Sequence, residues 1–273
     1  MTQNLTLRHG DRGQPVRDLQ QALAAQGFSV DQDGDFDDAT EAAVQAFQRQ
    51  AGLVADGIAG PKTLAALLGR TDKRLLAQAD LERAGKTLGV PLAAVQAVNE
   101  IESKGAGFGG NGRPVILFER HVFYARLVAT RGQAEADRLA KEQPSLVNPK
   151  PGGYAGGVAE WQRLTSAQQI DETCALESAS WGLFQIMGYH WQALGYESVA
   201  DFVTRMHASE AEQLEVFVRF IQANPALLKA LKAQKWADFA RGYNGPGYAR
   251  NLYDVKLERA FARYTAASGK DAA

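Results

Sequence analysis

Cysteine is nearly absent: Cys174 is the only one in 273 residues. An intramolecular disulfide and a multi-cysteine zinc site are both excluded, and a reducing compartment suits the chain. An excess of one charge is lacking as well. The 30 lysines and arginines balance 31 acids, for a formal net charge of -1, and the two signs are interspersed along the chain. No basic face for nucleic acid is therefore expected. No stretch approaches the roughly 18 consecutive apolar residues of a membrane-spanning helix, so no stable membrane insertion is expected. Residues Met1 to Leu7 contain no positively charged segment leading into an apolar core, and no export signal is expected. The four histidines, His9, His121, His190 and His207, follow neither HExxH nor any paired spacing. Zinc-hydrolase chemistry, and a metal or other cofactor generally, finds no support in that pattern.

What is present is the composition of a folded chain, with 45% apolar and 22% charged residues. The length fits a module of under about 80 residues followed by one of about 200. Only Ser268 to Ala273 reads as a flexible tail. In the first part, Val16, Leu19 and Leu23 lie at i, i+3 and i+7, and Val44 with Phe47 repeats the one-sided pattern. Amphipathic helices are predicted over 14–26 and 38–50. Pro61 after Gly60 opens a third over 61–68. Asp33-Gly34 followed by Thr40 recurs as Asp56-Gly57 followed by Thr63, so an Asp-Gly turn precedes a helix start twice.

Residues 69–74 are short and polar and read as a linker. Beyond them helical spacing dominates: 75–88, 92–102, 120–130, 133–142, 198–205, 209–222, 224–233, 235–241 and 251–266. Pro114–Phe118 is predicted as one short strand, and the Gly/Pro-rich 148–157 as a loop. The fold class is mainly α.

Three segments carry candidate chemistry. Asn99-Glu100-Ile101-Glu102-Ser103 closes an apolar helix, and Glu102 follows Val95 and Val98 at i+7 and i+4. It is expected on the core-facing side, with Glu100 about 160° away. A carboxyl there, against aromatics, is placed where desolvation favours general-acid use. In Ser180-Trp181-Gly182-Leu183-Phe184-Gln185-Ile186-Met187-Gly188, Gln185 can hydrogen-bond a sugar hydroxyl or amide, while Trp181 and Phe184 can stack on a pyranose face. Arg241-Gly242-Tyr243-Asn244-Gly245 adds a Tyr-Asn pair suited to an N-acetyl sugar. Each of these side chains also has a plain structural reading as core or helix-end residue.

Residues 5–68, with Leu7-Arg8-His9-Gly10-Asp11, Leu19-Gln20, Asp33-Gly34-Asp35-Phe36, Phe47-Gln48 and Asp56-Gly57, resemble the three-helix peptidoglycan-binding domain. The Glu-Ser, Ser-Xaa-Gly-Xaa-Xaa-Gln-Ile and Tyr-Asn-Gly segments, in that order, resemble the lysozyme-like superfamily of goose-type lysozymes and lytic transglycosylases. The match is closer to the N-acetylmuramidase domain of modular phage endolysins, through Ile116–Phe123 and Ser180–Gly188. The resemblance implies a wall-binding domain over 1–68, a linker over 69–74 and a helical lysozyme-like catalytic domain over 75–267. It further implies cleavage of the β-1,4 bond between N-acetylmuramic acid and N-acetylglucosamine in bacterial peptidoglycan. Glu102 is then the catalytic acid, and Gln185, Tyr243 and Asn244 line the cleft; Glu119, Ser180, Trp181 and Phe184 are further candidates for substrate binding. A second carboxylate stays open: Glu119 is expected to be a structural residue paired with the adjacent Arg120, and Glu177 is equally ambiguous.

The motifs serve a lytic transglycosylase, whose anhydro product is lighter by one water, as well as a hydrolase. A cysteine amidase would need Cys174 to meet a histidine in space. A wall-binding structural protein would bind without turnover. By family analogy the chain is expected to wait in a host cytoplasm until the membrane is permeabilised and then to act on the wall as a monomer.

Overall fold

A computed structural model of the chain describes residues 5–103 and 105–270, with the side chains of 268–270 outside that description. The polypeptide forms two compact units, one running to Arg83 and the other beginning at Ala84.

In the first unit α1 (Gln14–Ala25), α2 (Asp38–Gln50) and α3 (Pro61–Leu67) follow the apolar spacing of the sequence. Pro15 and Pro61 stand in the first turns of α1 and α3, where a missing N–H costs nothing. Asp37 caps α2 by accepting from the Thr40 N–H at 2.8 Å. The helices enclose Val16, Leu19, Leu23, Phe36, Val44 and Phe47.

The repeated Asp-Gly turns prove to be one wiring scheme used twice. Gln20 is buried, and its amide nitrogen donates to Asp33 Oδ1 (3.0 Å), the Asp35 carbonyl (3.0 Å) and Thr40 Oγ1 (3.1 Å), while its oxygen accepts from the Gly34 N–H (2.8 Å). Gln48 does the same with Asp56 Oδ1 (2.7 Å), the Ile58 carbonyl (3.0 Å), Thr63 Oγ1 (3.0 Å) and the Gly57 N–H (3.0 Å). Each buried amide has partners for both its oxygen and its nitrogen, which is what allows it inside.

Residues 69–77 are non-helical, and α4 (Gln78–Leu88) begins three residues later than its apolar spacing suggests. The delay has a local cause: the Gln78 N–H donates to the Leu53 carbonyl (3.3 Å) and its side chain accepts from the Ala55 N–H (3.2 Å), tying this stretch to the first unit. Leu75 packs on the same core.

The second unit starts from α5 (Leu92–Glu102), whose small residues Ala93 and Ala97 pack closely on Ala260 and Tyr264. β1 (Ile116–Phe118) leads into α6 (Arg120–Arg131), α7 (Gln133–Glu142), α8 (Ala159–Gln168) and α9 (Glu172–Glu177). β2 (Ala179–Trp181) and β3 (Ile186–Met187) complete an antiparallel sheet of order β1-β2-β3, with Ile116 opposite Trp181 and Trp181 opposite Ile186. Helices α10 (Val199–Ala208), α11 (Glu210–Gln222), α12 (Pro225–Lys232) and α13 (Trp236–Asn244) follow, then a 3-10 turn (Pro246–Asn251) and α14 (Tyr253–Lys270). Side chains of Ser198, Ser209 and Asn224 cap α10, α11 and α12.

The sequence reading missed α8, α9, β2 and β3. α8 hides because its buried face carries charge: Glu160 is fully buried and pairs with Arg163 at 2.8 Å. Two- and three-residue strands are too short for alternation to register. The tail expectation also changes in part, since α14 continues to Lys270; residues 271–273 lie outside the described residues. No described helix is long and apolar enough to cross a membrane.

Candidate active site

α5 ends at Glu102, and its face sets where that carboxyl lies. Val95 and Val98 are buried, and Glu102 on the same stripe is only 8% exposed. Glu100 turns away and pairs with Arg263 and Tyr264 of α14. The helix stops there because Ser103 adopts an extended backbone.

Glu102 lines a cleft of about 500 Å³, together with Ser103, Phe184, Gln185, Tyr243 and Asn244 from the sequence motifs. The end of α13 forms part of its wall, and Asn244 Nδ2 donates to Glu102 Oε1 at 2.9 Å. Among the lining residues Glu102 is the only carboxylate.

Tyr243 donates its hydroxyl to the Phe184 carbonyl at 2.8 Å. Its ring lies parallel to Phe239 at 6.0 Å and edge-on to Phe217 at 5.5 Å. Burial, with the nearby Glu102 charge adding to it, pushes the phenol well above its ordinary pKa, so it remains a donor. Phe184 stacks on Phe217 at 4.3 Å and is 4% exposed, which leaves little open ring for a sugar.

Gln185 lines the cleft with a left-handed backbone, φ 50. Its side chain is engaged by the protein: Nε2 donates to the Gly182 carbonyl (2.8 Å) and the Val115 carbonyl (3.3 Å), and Oε1 accepts from Ser180 Oγ (2.8 Å). These bonds fix the amide in the cleft wall, and Ser180, 6% exposed, serves the same turn. Trp181 needs a firmer correction. It is 1% exposed, its indole N–H goes to the Leu176 carbonyl (3.2 Å), and it is not among the cleft residues. Packing on both faces of the sheet buries every residue of β2, so no pyranose can stack there.

Glu119 does not line the cleft either. It accepts from the Tyr154 hydroxyl at 2.9 Å and lies 3.2 Å from His121 Nδ1. Arg120, the expected partner, reaches instead to the carbonyls of Lys150 (3.0 Å), Pro144 (3.3 Å) and Pro151 (3.2 Å). Consecutive side chains at the strand-to-helix junction diverge, so sequence adjacency did not produce a pair. Glu177 is held by Trp191 Nε1 (2.8 Å) and Arg126 (3.3 Å). Loop 148–157 is anchored by Glu160, which accepts from the N–H groups of Ala155, Gly156 and Phe118.

Sequence reasoning missed Tyr189, His190, Phe220 and Tyr253, all of which line the cleft. Tyr189 and His190 directly follow the Ser180–Gly188 motif, which was the available signal. Tyr189 is 36% exposed, with the Arg126 guanidinium 5.2 Å from its ring. Burial lowers the His190 pKa, with Arg126 adding to the effect, so the imidazole stays neutral near pH 7. The Cys174 thiol is buried 3.5 Å from Thr130 Oγ1, and burial pushes its pKa up, the opposite of what a nucleophile needs. In the first unit His9, Asp38 and Glu41 bring polar atoms within 4.8 Å of one another on an open surface.

Comparison with known proteins adds the following. Residues 91–265 match the family model for N-acetylmuramidase, and residues 12–67 match a peptidoglycan binding domain. A segment of 61 residues, 21% of the chain, is 51% identical to the zinc D-Ala-D-Ala carboxypeptidase of Streptomyces albus G and covers 24% of that protein. One of 64 residues, 22% of the chain, is 44% identical to the N-acetylmuramoyl-L-alanine amidase CwlL of Bacillus licheniformis and covers 18% of it. The chain thus spans a quarter or less of the length of these curated relatives. The crystal structure of a Burkholderia AP3 phage endolysin is similar over 96% of this chain and 99% of that one, at 59% identity and a TM-score of 0.91.

Proposed function

The chain belongs to the N-acetylmuramidase family, and from that premise we propose that it is a peptidoglycan hydrolase of the endolysin kind. The first unit holds the cell wall and the second cuts the β-1,4 bond between N-acetylmuramic acid and N-acetylglucosamine. The observation that carries this reading is Glu102: a buried acid at a helix end, bonded to Asn244 and alone among the cleft residues in being a carboxylate.

In the proposed reaction Glu102 protonates the bridging oxygen as the muramoyl C1–O bond breaks and positive charge develops on C1 and the ring oxygen. Asn244 orients the carboxyl, and the Tyr243 hydroxyl keeps the Phe184 segment of the wall in place. Water then adds to C1 and yields a reducing N-acetylmuramic end. The single carboxylate also supports a second reading, in which the muramoyl 6-hydroxyl adds in place of water, as in a lytic transglycosylase. We further propose a monomer that does not bind nucleic acid and that reaches the wall from a host cytoplasm once the membrane is permeabilised.

Mass spectrometry of muropeptides released from purified peptidoglycan by the wild type and by Glu102→Gln tests the reading. Reducible N-acetylmuramic ends from the wild type and none from the variant are expected. Anhydro ends would assign the transglycosylase, reducible N-acetylglucosamine ends a glucosaminidase, and full activity in the variant would remove Glu102 from the acid's role.

A further inference from the structure

Behind the cleft, α11 carries a buried amide that the proposed reaction does not use. Gln213 is 1% exposed. Its Oε1 accepts from the Leu183 N–H at 2.9 Å, and its Nε2 donates to the Met206 carbonyl at 2.9 Å and the Gly107 carbonyl at 3.3 Å. One turn earlier, Glu210 accepts from the Gly107 N–H at 2.9 Å, so both polar groups of that glycine are held from α11.

The two backbone positions gripped here lie close in the chain to residues that line the cleft. Gly107 lies five positions after Glu102 in the chain, and Leu183 lies in the turn before Phe184 and Gln185. They are also laced to each other: the Val115 N–H donates to the Gly107 carbonyl (2.9 Å) and the Gly182 N–H to the Val115 carbonyl (2.8 Å). Gln185 holds the same junction through the Val115 and Gly182 carbonyls. Both glycines are required by contact with the amide. A Cβ on Gly182 would meet Gln213 Cδ at 2.6 Å, and one on Gly107 would meet Gln213 Oε1 at 2.2 Å.

From this arrangement we infer that Gln213 is a positioning residue for glycan cleavage, fixing the Phe184 turn and the segment after Glu102 at one separation. The consequence runs through named bonds. Leu183 sets Phe184, whose carbonyl takes the Tyr243 hydroxyl, and the next residue, Asn244, holds Glu102. A helix-borne amide suits this task, because α11 is packed through Leu214, Val216, Phe217, Val218 and Ile221.

This inference rests on the muramidase reading, and its test separates the two. The full chain with Gln213→Met, which keeps the volume and removes every hydrogen bond, and with Gln213→Glu, which keeps the acceptor for Leu183, is assayed for release of muropeptides from purified peptidoglycan. Activity is expressed per folded molecule from circular dichroism. The expected result is a kcat lowered about tenfold to a hundredfold in Gln213→Met with KM within about twofold, and a loss at least as large in Gln213→Glu, whose second carboxylate oxygen would face the Met206 and Gly107 carbonyls. Unchanged kcat per folded molecule in Gln213→Met overturns the inference, as does failure of both variants to fold at 10 °C, since the amide would then serve the fold alone. An inert wild type would instead overturn the muramidase reading itself.

Discussion

Asn244 donates to Glu102 Oε1 at 2.9 Å, joining two residues 142 positions apart in the wall of the cleft. The bond restrains the carboxyl rotamer. Asn244→Ala is expected to lower kcat about tenfold to a hundredfold, the range in which a misoriented general acid falls, with wall binding unchanged. Initial rates of muropeptide release check it, and a loss confined to KM would reassign Asn244 to substrate binding.

Tyr243→Phe removes one hydroxyl and leaves the Phe184 carbonyl without its donor. A neutral hydrogen bond of this kind contributes about 1 kcal/mol. A modest fall in melting temperature with a several-fold fall in kcat is expected, measured by thermal denaturation alongside the assay.

Trp181 and Tyr189 should divide stability from binding. Trp181→Ala creates a cavity in the sheet and is expected to cost about 3–5 kcal/mol of stability. Tyr189→Ala, at an exposed ring on the cleft wall, is expected to raise KM several-fold with little change in melting temperature. Denaturant titration and steady-state kinetics of both variants distinguish the roles, and a raised KM in a stable Trp181→Ala protein would contradict the buried assignment.

In the first unit, Gln20→Leu and Gln48→Leu each strand a buried backbone N–H, that of Gly34 or Gly57. A loss of about 1–3 kcal/mol is expected from either change. Hydrogen exchange at those two amides reads it residue by residue, and protection retained at Gly34 in Gln20→Leu would show that the amide is dispensable.

Glu160 predicts an acid limb. Burial alone would raise its pKa, but the amides of Gly156, Phe118 and Ala155 and the Arg163 guanidinium outweigh it and hold the carboxyl below 4.5. A depressed pKa means the unfolded chain takes the proton first, so this stability is fully present above about pH 4.5 and is lost as pH falls through the folded value. Glu160→Gln should flatten that part of the stability profile and, by leaving Arg163 buried without its partner, lower stability at pH 7 by about 3–5 kcal/mol. Chemical denaturation between pH 3 and 7 gives both quantities.

The helices were legible where one face is apolar throughout, as in α1, α2, α5 and α14, since a periodicity of 3.6 is a local property of the chain. α8 escaped because a buried ion pair interrupts its apolar face. The candidate acid was legible for the same reason that α5 was: its position relative to Val95 and Val98 follows from helix geometry alone. Trp181 was misread as a sugar contact because an aromatic in a motif looks alike whether it faces a cleft or a core.

The amphipathic helices, the repeated Asp-Gly turns and the inward face of Glu102 were thus determined by the sequence, through contacts within a few residues of one another. The tertiary structure alone decided which polar groups were free to act. It spent Gln185 on a turn, put Trp181 inside the sheet, sent Arg120 to loop carbonyls instead of Glu119, and brought Asn244 and Gln213 to places more than 100 residues away in the chain. Those pairings depend on how helices pack, which no local pattern encodes, and a buried hydrogen-bonding group takes whichever partner the packing places beside it.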